Sequence, residues 1–325
     1  DLVRSRGLGD VYKRQALGKP SRFLVPVLLV GVLAATPLLI RETYYINLLF
    51  LVLLFIALAQ SWNILAGLAG QVNLGHAAFF GIGALASRIL WISGVNPFLG
   101  ILAGGVLATF FALIIGLPTF RLRGIYFAIG TLAMAEILRH VTKNALPILS
   151  LLPSAYIVEY DLTPRYYLAL TLALIASLTV YILVNSKIGL GMMAVQEDED
   201  AAEASGVSAL KHKLLALLIS SFLAGLTGAL FAFYQVSYYY ELSFSPTWTF
   251  DALIITFVGG VGTIIGPIVG AAFFVVFREL FARFLVEVHL IVFGALFIIV
   301  VLLLPGGIIE ATGRVRQWAR SISSR

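Results

Sequence analysis

The chain has 325 residues, 60% of them hydrophobic and only 12% charged, with a formal net charge of +6. Soluble domains carry about 25% charged residues, so this balance excludes an ordinary globular protein. Apolar runs of about 20 residues, enough to span a hydrocarbon core of ~30 Å, recur along the chain. They are continuously apolar and do not alternate, which excludes a transmembrane β-barrel. The expected fold is an all-α polytopic membrane protein with eight to ten transmembrane helices, including broken or re-entrant Gly-rich segments.

The first 22 residues carry +4 and residues 305–325 carry +3, leaving the rest near neutral. Basic ends beside apolar helices read as cytoplasmic flanks and not as a nucleic-acid site. The chain has no cysteine, so no disulfide is possible. Residues 1–22 are expected to form a cytoplasmic tail. Within it, DLVRSRGLGDVYKRQ (1–15) is polar, unlike the apolar sequence after it, and is set aside as foreign to the native protein; a native disordered tail is the alternative. The apolar run 23–40 lacks a small-residue cleavage site followed by a soluble domain and is read as a retained first helix.

Further helices are expected at about 44–65, 77–92, 98–120, 125–145, 166–184 and 214–234. A Gly-rich break, GLAGQVNLGH (67–76), separates the second and third, and GVNP (94–97) ends the third. Arg121 and Arg123 mark the end of the fourth, and three prolines, Pro147, Pro153 and Pro164, punctuate the 147–165 loop. The transmembrane domain as a whole is placed at 23–305, followed by a basic cytoplasmic tail, 306–325.

Orientation follows from Lys and Arg in short loops. With the N-terminus inside, Arg121, Arg123, Lys187, Lys211 and Lys213 all fall inside, whereas 94–97 and 237–247 carry no Lys or Arg and fall outside. An Arg-rich C-terminus on the inside then requires an odd number of crossings after 247. A helix at 288–304 supplies one, so 248–284 must go in and come back. It carries GGVGTIIGPIVG (259–270) at its middle. Such breaks are tolerated at membrane depth only where protein or water satisfies the freed backbone groups, so a broken or re-entrant hairpin is expected.

Two interruptions therefore stand out, Gly67, Gly70 and Gly75 in the first and Gly259, Gly260, Gly262 and Gly266 in the second. Paired interruptions in a transporter point to a translocation site; close packing through small residues is the other reading. Asn63, Gln71, Asn73 and His76 lie at or near the first break. They either line a path for a polar substrate or cap the broken helix. A lone histidine does not make a metal site, and none is expected. Glu136 falls about 18 Å into its helix, with Arg139 and His140 on the same face. It is a candidate for the path, or an internal pair with Arg139 snorkelling outward. Arg88, Arg278, Glu279 and Arg283 are read as interfacial anchors.

The longest polar stretch is SKIGLGMMAVQEDEDAAEASGVSALKHK (186–213). A lipid-embedded chain that keeps one charged helical loop invites a soluble partner there. Residues 196–205 favour a helix, and Gly206 is placed to end it. Such a helix can sit as a knob in a partner's groove, with the alanines allowing close approach. A solvated connector is the alternative.

Several stretches together resemble the permease subunits of branched-chain amino acid ABC importers of the LivM-like branch. They are SWNILAGLAGQVNLGHAAFFGIGA (61–84), GLPTFRLRGIYFAIGTLAMAEILR (116–139), the 186–216 stretch, LAGLTGALFAFY (223–234) and VGGVGTIIGPIVGAAF (259–273). The resemblance runs from about 45 to the end. It implies a multi-pass permease of the bacterial inner membrane with cytoplasmic termini. The implied partners are a second, LivH-like permease, two cytoplasmic ATPases that bind the ATP, and a periplasmic or lipid-anchored substrate-binding protein. Asp200, Ala201, Ala202 and Gly206 match the importer pattern EAAxxxG with Asp for Glu; Glu197, Asp198 and Glu203 complete the expected ATPase-coupling set. One departure is the glycine-free 141–164, where the family usually carries a Gly-rich stretch. The chain has no P-loop, HExxH or GxSxG, so it is read as neither an ATPase nor an enzyme, and it needs no cofactor of its own. Permeases of this family for urea, short amides or other amino acids are the alternative. A secondary transporter or channel is a further one.

Overall fold

A computed structural model describes residues 21–40, 42–145 and 160–284, together with 294, 298, 302 and 306–310. Residues 1–20 of the expected tail, 311–325 of the C-terminal tail, most of the 147–165 loop and nearly all of the expected 288–304 helix lie outside the described residues. Every regular element among the described residues is helical. The chain divides into two compact units, 1–46 and 47–325. The first holds α1 (Ser21–Leu39) and the opening turn of α2 (Thr43–Asn63).

In the second unit α2 runs into a single π turn, Ile64–Leu68. Then come α3 (His76–Ile92), α4 (Pro97–Thr119), α5 (Ile125–Ala145) and α6 (Leu162–Val184). The polar stretch folds as α7 (Lys187–Glu197) and α8 (Glu199–Ala204). The long α9 (Ala209–Tyr234), the short α10 (Tyr240–Ser243), α11 (Thr247–Gly259) and α12 (Gly266–Phe284) complete it. Four of the described helices are long and apolar enough to cross a membrane: Thr43–Leu68, Pro97–Thr119, Leu162–Val184 and Ala209–Tyr234. The chain is thus a polytopic helical membrane protein.

Starts and stops follow local chemistry. Asn96 Oδ1 accepts from Phe98 N at 2.9 Å, with Pro97 at the first position of α4, where its missing N–H is harmless. Asp161 Oδ1 caps α6 through Thr163 N at 2.9 Å. Ser186 Oγ caps α7 through Gly189 N at 3.1 Å. Each satisfies a donor the first turn leaves open.

The core of this unit is α3, α4 and α9, packed at small residues. A Cβ on Gly104 would lie 2.7 Å from Gly83 O, and a Cβ on Gly228 would overlap the Phe80 carbonyl. Lipid supplies no hydrophobic drive between helices, so close backbone approach of this kind provides the packing. Phe80, Phe231 and Trp248 stack beside it, with centroids 4.3 Å apart for Phe80–Trp248 and 4.6 Å for Phe231–Trp248.

Loops collect at two ends. At one, Arg123 reaches Asp200 at 3.6 Å and Gly70 packs on Gln196. At the other, Lys143 pairs with Glu241 at 2.9 Å, and Tyr160 Oη donates to Tyr234 O at 3.0 Å. The Lys143 ammonium, hydrogen-bonded to Glu241, holds that carboxyl below its usual range.

Arg88 departs from its expected place as an interfacial anchor. It is fully buried and donates to Gln235 O and Val236 O, each at 2.9 Å. Arg165, also buried, donates from Nε to Phe233 O at 2.9 Å and lies over the Tyr160 and Phe233 rings. Both cations satisfy carbonyls at and just beyond the end of α9, the end that favours positive charge. Of the other expected anchors, Arg278 pairs with Asp251 at 3.5 Å, linking α12 to α11, and Arg283 with Glu279 at 3.2 Å.

The α3–α9 packing gives a direct test. Gly228→Leu drives a side chain into the Phe80 carbonyl and should destabilise the purified protein by about 1–3 kcal/mol, the usual range for overpacking. Thermal unfolding in detergent measures it.

Candidate functional site

The two glycine-rich breaks meet. The π turn at the end of α2 lies against the turn joining α11 to α12, and Asn63 is the clasp. Its Oδ1 accepts from Gly262 N at 2.8 Å and its Nδ2 donates to Thr263 O at 3.0 Å. One turn earlier, Gln60 Nε2 donates to Ile264 O at 2.7 Å. Thr263 Oγ1 bridges Gly260 O at 2.8 Å and Gly266 N at 3.0 Å, closing the turn and capping α12. A Cβ on Gly67 would lie 2.7 Å from Gly262 N, so only glycine permits this approach. Gly307 adds a third segment: a Cβ there would lie 2.6 Å from Gly260 N.

α11 and α12 form a short helical hairpin around the second break. At 1.5 Å per residue the 13 residues of α11 reach about 20 Å, short of a full span. α12 returns alongside, close enough that a Cβ on Gly259 would overlap Gly266 O and one on Gly270 would overlap Ile255 O.

The polar residues of the first break are structural in their contacts. His76 is fully buried with Nε2 2.8 Å from Ser61 Oγ. Asn73, 1% exposed, turns its Oδ1 onto Gly75 N at 2.8 Å, and its carbonyl accepts from Trp62 Nε1 at 2.9 Å. Gly75 packs so tightly on α5 that a Cβ would overlap Thr131 O. Gln71 is half-buried and donates to Ala69 O at 3.3 Å. A cavity of about 20 Å³ lies beside Asn73, Thr119, Thr131 and Met134, room for about one water. Of the five polar candidates for a path, Asn63 sits at the junction, Asn73 and His76 brace the segment leading from it, and Gln71 lies at its edge. Glu136 is not brought to them: it pairs within α5, with Arg139 at 2.8 Å and His140 at 4.0 Å.

The polar stretch differs from the single helix expected over 196–205. Asp198 breaks it, with φ −157° and ψ 113°, and its Oδ1 caps α8 through Ala201 N at 3.0 Å. Aspartate favours that capping position over a helix interior. Gly206 ends α8 as expected. It has φ +84°, with Val207 N donating to Ala202 O at 3.0 Å and Gly206 N to Glu203 O at 2.9 Å, the Schellman pattern. Ala202 does not offer close approach to a partner, because it is buried against Val195 and Ala209. Glu197, Asp198, Asp200, Ala201 and Glu203 are exposed. Glu199 anchors the unit by pairing with Lys213 at 2.6 Å; the Lys213 side chain is only 4% exposed. A groove of about 430 Å³ runs beside α7, with Lys187, Lys211 and His212 among its lining residues.

Sequence reasoning passed over Gln60, Thr263 and Gly307. Gln60 and Asn63 form an i, i+3 polar pair in an apolar helix, a signal that one buried face meets backbone. Thr263 precedes Gly266 by three residues, the spacing of a capping hydroxyl.

Asn63→Leu removes the partners of the buried Gly262 N–H and of the partly buried Thr263 carbonyl. Each loss costs about 1–3 kcal/mol, so unfolding in detergent should fall by about 2–6 kcal/mol. Gln71→Leu, at a half-exposed position, should change it by less than about 0.5 kcal/mol.

The sequence profile of the family described as branched-chain amino acid transport system / permease component matches residues 44–301. The high-affinity branched-chain amino acid transport system permease protein LivM of Escherichia coli (strain K12) is 28% identical, covering 90% of this chain and 76% of the relative. The probable branched-chain amino acid transport permease protein LivM of Methanocaldococcus jannaschii is 25% identical, covering 72% and 81%. The nucleoside ABC transporter permease protein NupC of Lactococcus lactis subsp. cremoris is 25% identical over half of the chain, 59% of its own length. No solved structure matches. This chain belongs to the family of permease components of branched-chain amino acid transport systems.

Proposed function

We propose that the chain is the membrane-spanning permease subunit of an ATP-driven importer. It carries branched-chain amino acids across a bacterial inner membrane through eight to ten transmembrane helices, with both termini cytoplasmic. It binds no ATP itself; two cytoplasmic ATPases do. A second, LivH-like permease completes the path, and a periplasmic or lipid-anchored binding protein delivers substrate. The path runs beside the junction of the two breaks, where irregular backbone faces the partner permease.

The observation that carries this reading is the form of 186–213. α7 and α8 make a capped, packed unit that shows Glu197, Asp198, Asp200 and Glu203 outward on the same end as Arg123. A mere connector needs no half-buried Glu199–Lys213 pair, no Schellman stop and no internal cluster of Val195, Ala202 and Ala209. A rigid acidic knob beside a basic-lined groove suits a soluble partner that pushes on it. The names of the relatives support the amino-acid substrate, and the nucleoside permease among them keeps cargo open to direct assay.

The test is co-expression with the neighbouring ATPase genes. Asp200→Lys plus Gly206→Glu reverses an exposed charge and forces a side chain into a positive φ, which costs about 1–2 kcal/mol. Membrane insertion should persist while co-purified ATPase falls about tenfold, the effect of ~1.4 kcal/mol in binding. Unchanged co-purification would place the contact elsewhere. No association with the unaltered chain would return the secondary-transporter reading.

A further inference from the structure

The stretch that faces the solvent and the junction of the two breaks are joined by one side chain. Gln196, in the last turn of α7, lies over the segment that leaves α2. Its Cα, Cβ and Cγ are 3.0–3.3 Å from where a Cβ on Gly70 would stand, so glycine there admits it. With its amide nitrogen turned to the carbonyls, Gln196 donates to Gly67 O at 3.0 Å and to Leu68 O at 3.3 Å. Those carbonyls end the π turn, where helical backbone acceptors run out of partners. A carboxamide can donate two hydrogen bonds, and both go to this turn.

The opposite side of the same turn touches the hairpin. Gly67 packs on Gly262, and Asn63, the residue before the π turn, holds Gly262 N and Thr263 O. From α7 to the α11–α12 turn there are thus two contacts and one turn of helix. A π turn is the segment of a helix most able to change, since its wide hydrogen bonds can revert to α register, and such turns recur at functional sites. Removing its terminal donors favours that change.

We infer that Gln196 is the positioning residue that transmits displacement of α7 and α8 to the junction of the two breaks, through its hydrogen bonds to Gly67 and Leu68. The inference rests on the ATPase-coupling reading of 186–213 and adds the link between that surface and the membrane interior. Gln196 touches neither substrate nor nucleotide. It acts by making the geometry of the π turn depend on where α7 sits.

The experiment uses the complete complex, this chain with its partner permease, ATPases and binding protein, in proteoliposomes. Three quantities are read: co-purified ATPase, ATP hydrolysis stimulated by loaded binding protein, and substrate taken up per ATP. Gln196→Leu removes the donors, and Gln196→Glu keeps the shape while setting an acceptor against two carbonyls. Gln196 is exposed, so both variants should insert. ATPase co-purification should stay within about twofold of the unaltered chain, while uptake per ATP falls about fivefold or more, the low end of site-to-site coupling. Unchanged uptake per ATP in both variants overturns the inference. Loss of ATPase binding in both also overturns it, since Gln196 would then be an assembly contact. If the unaltered chain recruits no ATPase, the coupling reading fails first and the inference falls with it.

Discussion

Within the hydrocarbon region every backbone N–H and C=O must find a partner in the protein or in enclosed water. This protein breaks its helices at two places and brings the breaks together so that each helps to satisfy the other. The carboxamide of Asn63 supplies the acceptor for Gly262 and the donor for Thr263, and Gln60 supplies a donor for Ile264. Glycine at 67 and 262 lets the backbones approach closely enough for a short side chain to reach. The π turn, the short α11 and the return of α12 bring the two breaks to one junction, where backbone groups find partners within the protein.

The same constraint explains the buried cations at the opposite end. α9 finishes beside α3 and α6, where its last carbonyls are partly buried. Arg88 and Arg165 serve them from neighbouring helices, each with aromatic rings stacked over the guanidinium. Buried, Arg88 and Arg165 satisfy a helix end. On α7 and α8 the exposed acidic residues cluster, and Glu199 alone pairs inward with Lys213.

Much of this was legible in the sequence, for identifiable reasons. The apolar runs at about 44–65, 98–120, 166–184 and 214–234 show the long spans 43–68, 97–119, 162–184 and 209–234 to within a few residues, the starts being blurred by Arg165 and by Lys211 and Lys213. Gly206 as a helix stop was readable because positive φ selects glycine. The break at Asp198 is hidden in the sequence, because good helix formers on both sides mask one capping aspartate. Arg88 is misplaced by sequence alone because its position near an outer helix end says nothing about which face it occupies. That the two breaks touch is beyond local reading: glycine composition fits both a path and close packing, and only the Asn63 hydrogen bonds, across 199 and 200 residues of sequence, join them. Gln196 carries no signal, being one polar residue in a polar stretch.

The central claim is that the two breaks form one junction held from α2. The absence of native cysteine makes it directly measurable. Gln60→Cys with Ile264→Cys, which leaves the Asn63 clasp and the Thr263 hydroxyl in place, expressed in membranes and treated with a short bifunctional thiol reagent, should give an intramolecular bridge in high yield. Thr171→Cys with Ile264→Cys should give none. Bridging of the first pair, with transport arrested by the linkage, is the result the account predicts. Free thiols at 60 and 264 in a folded, inserted protein would contradict it.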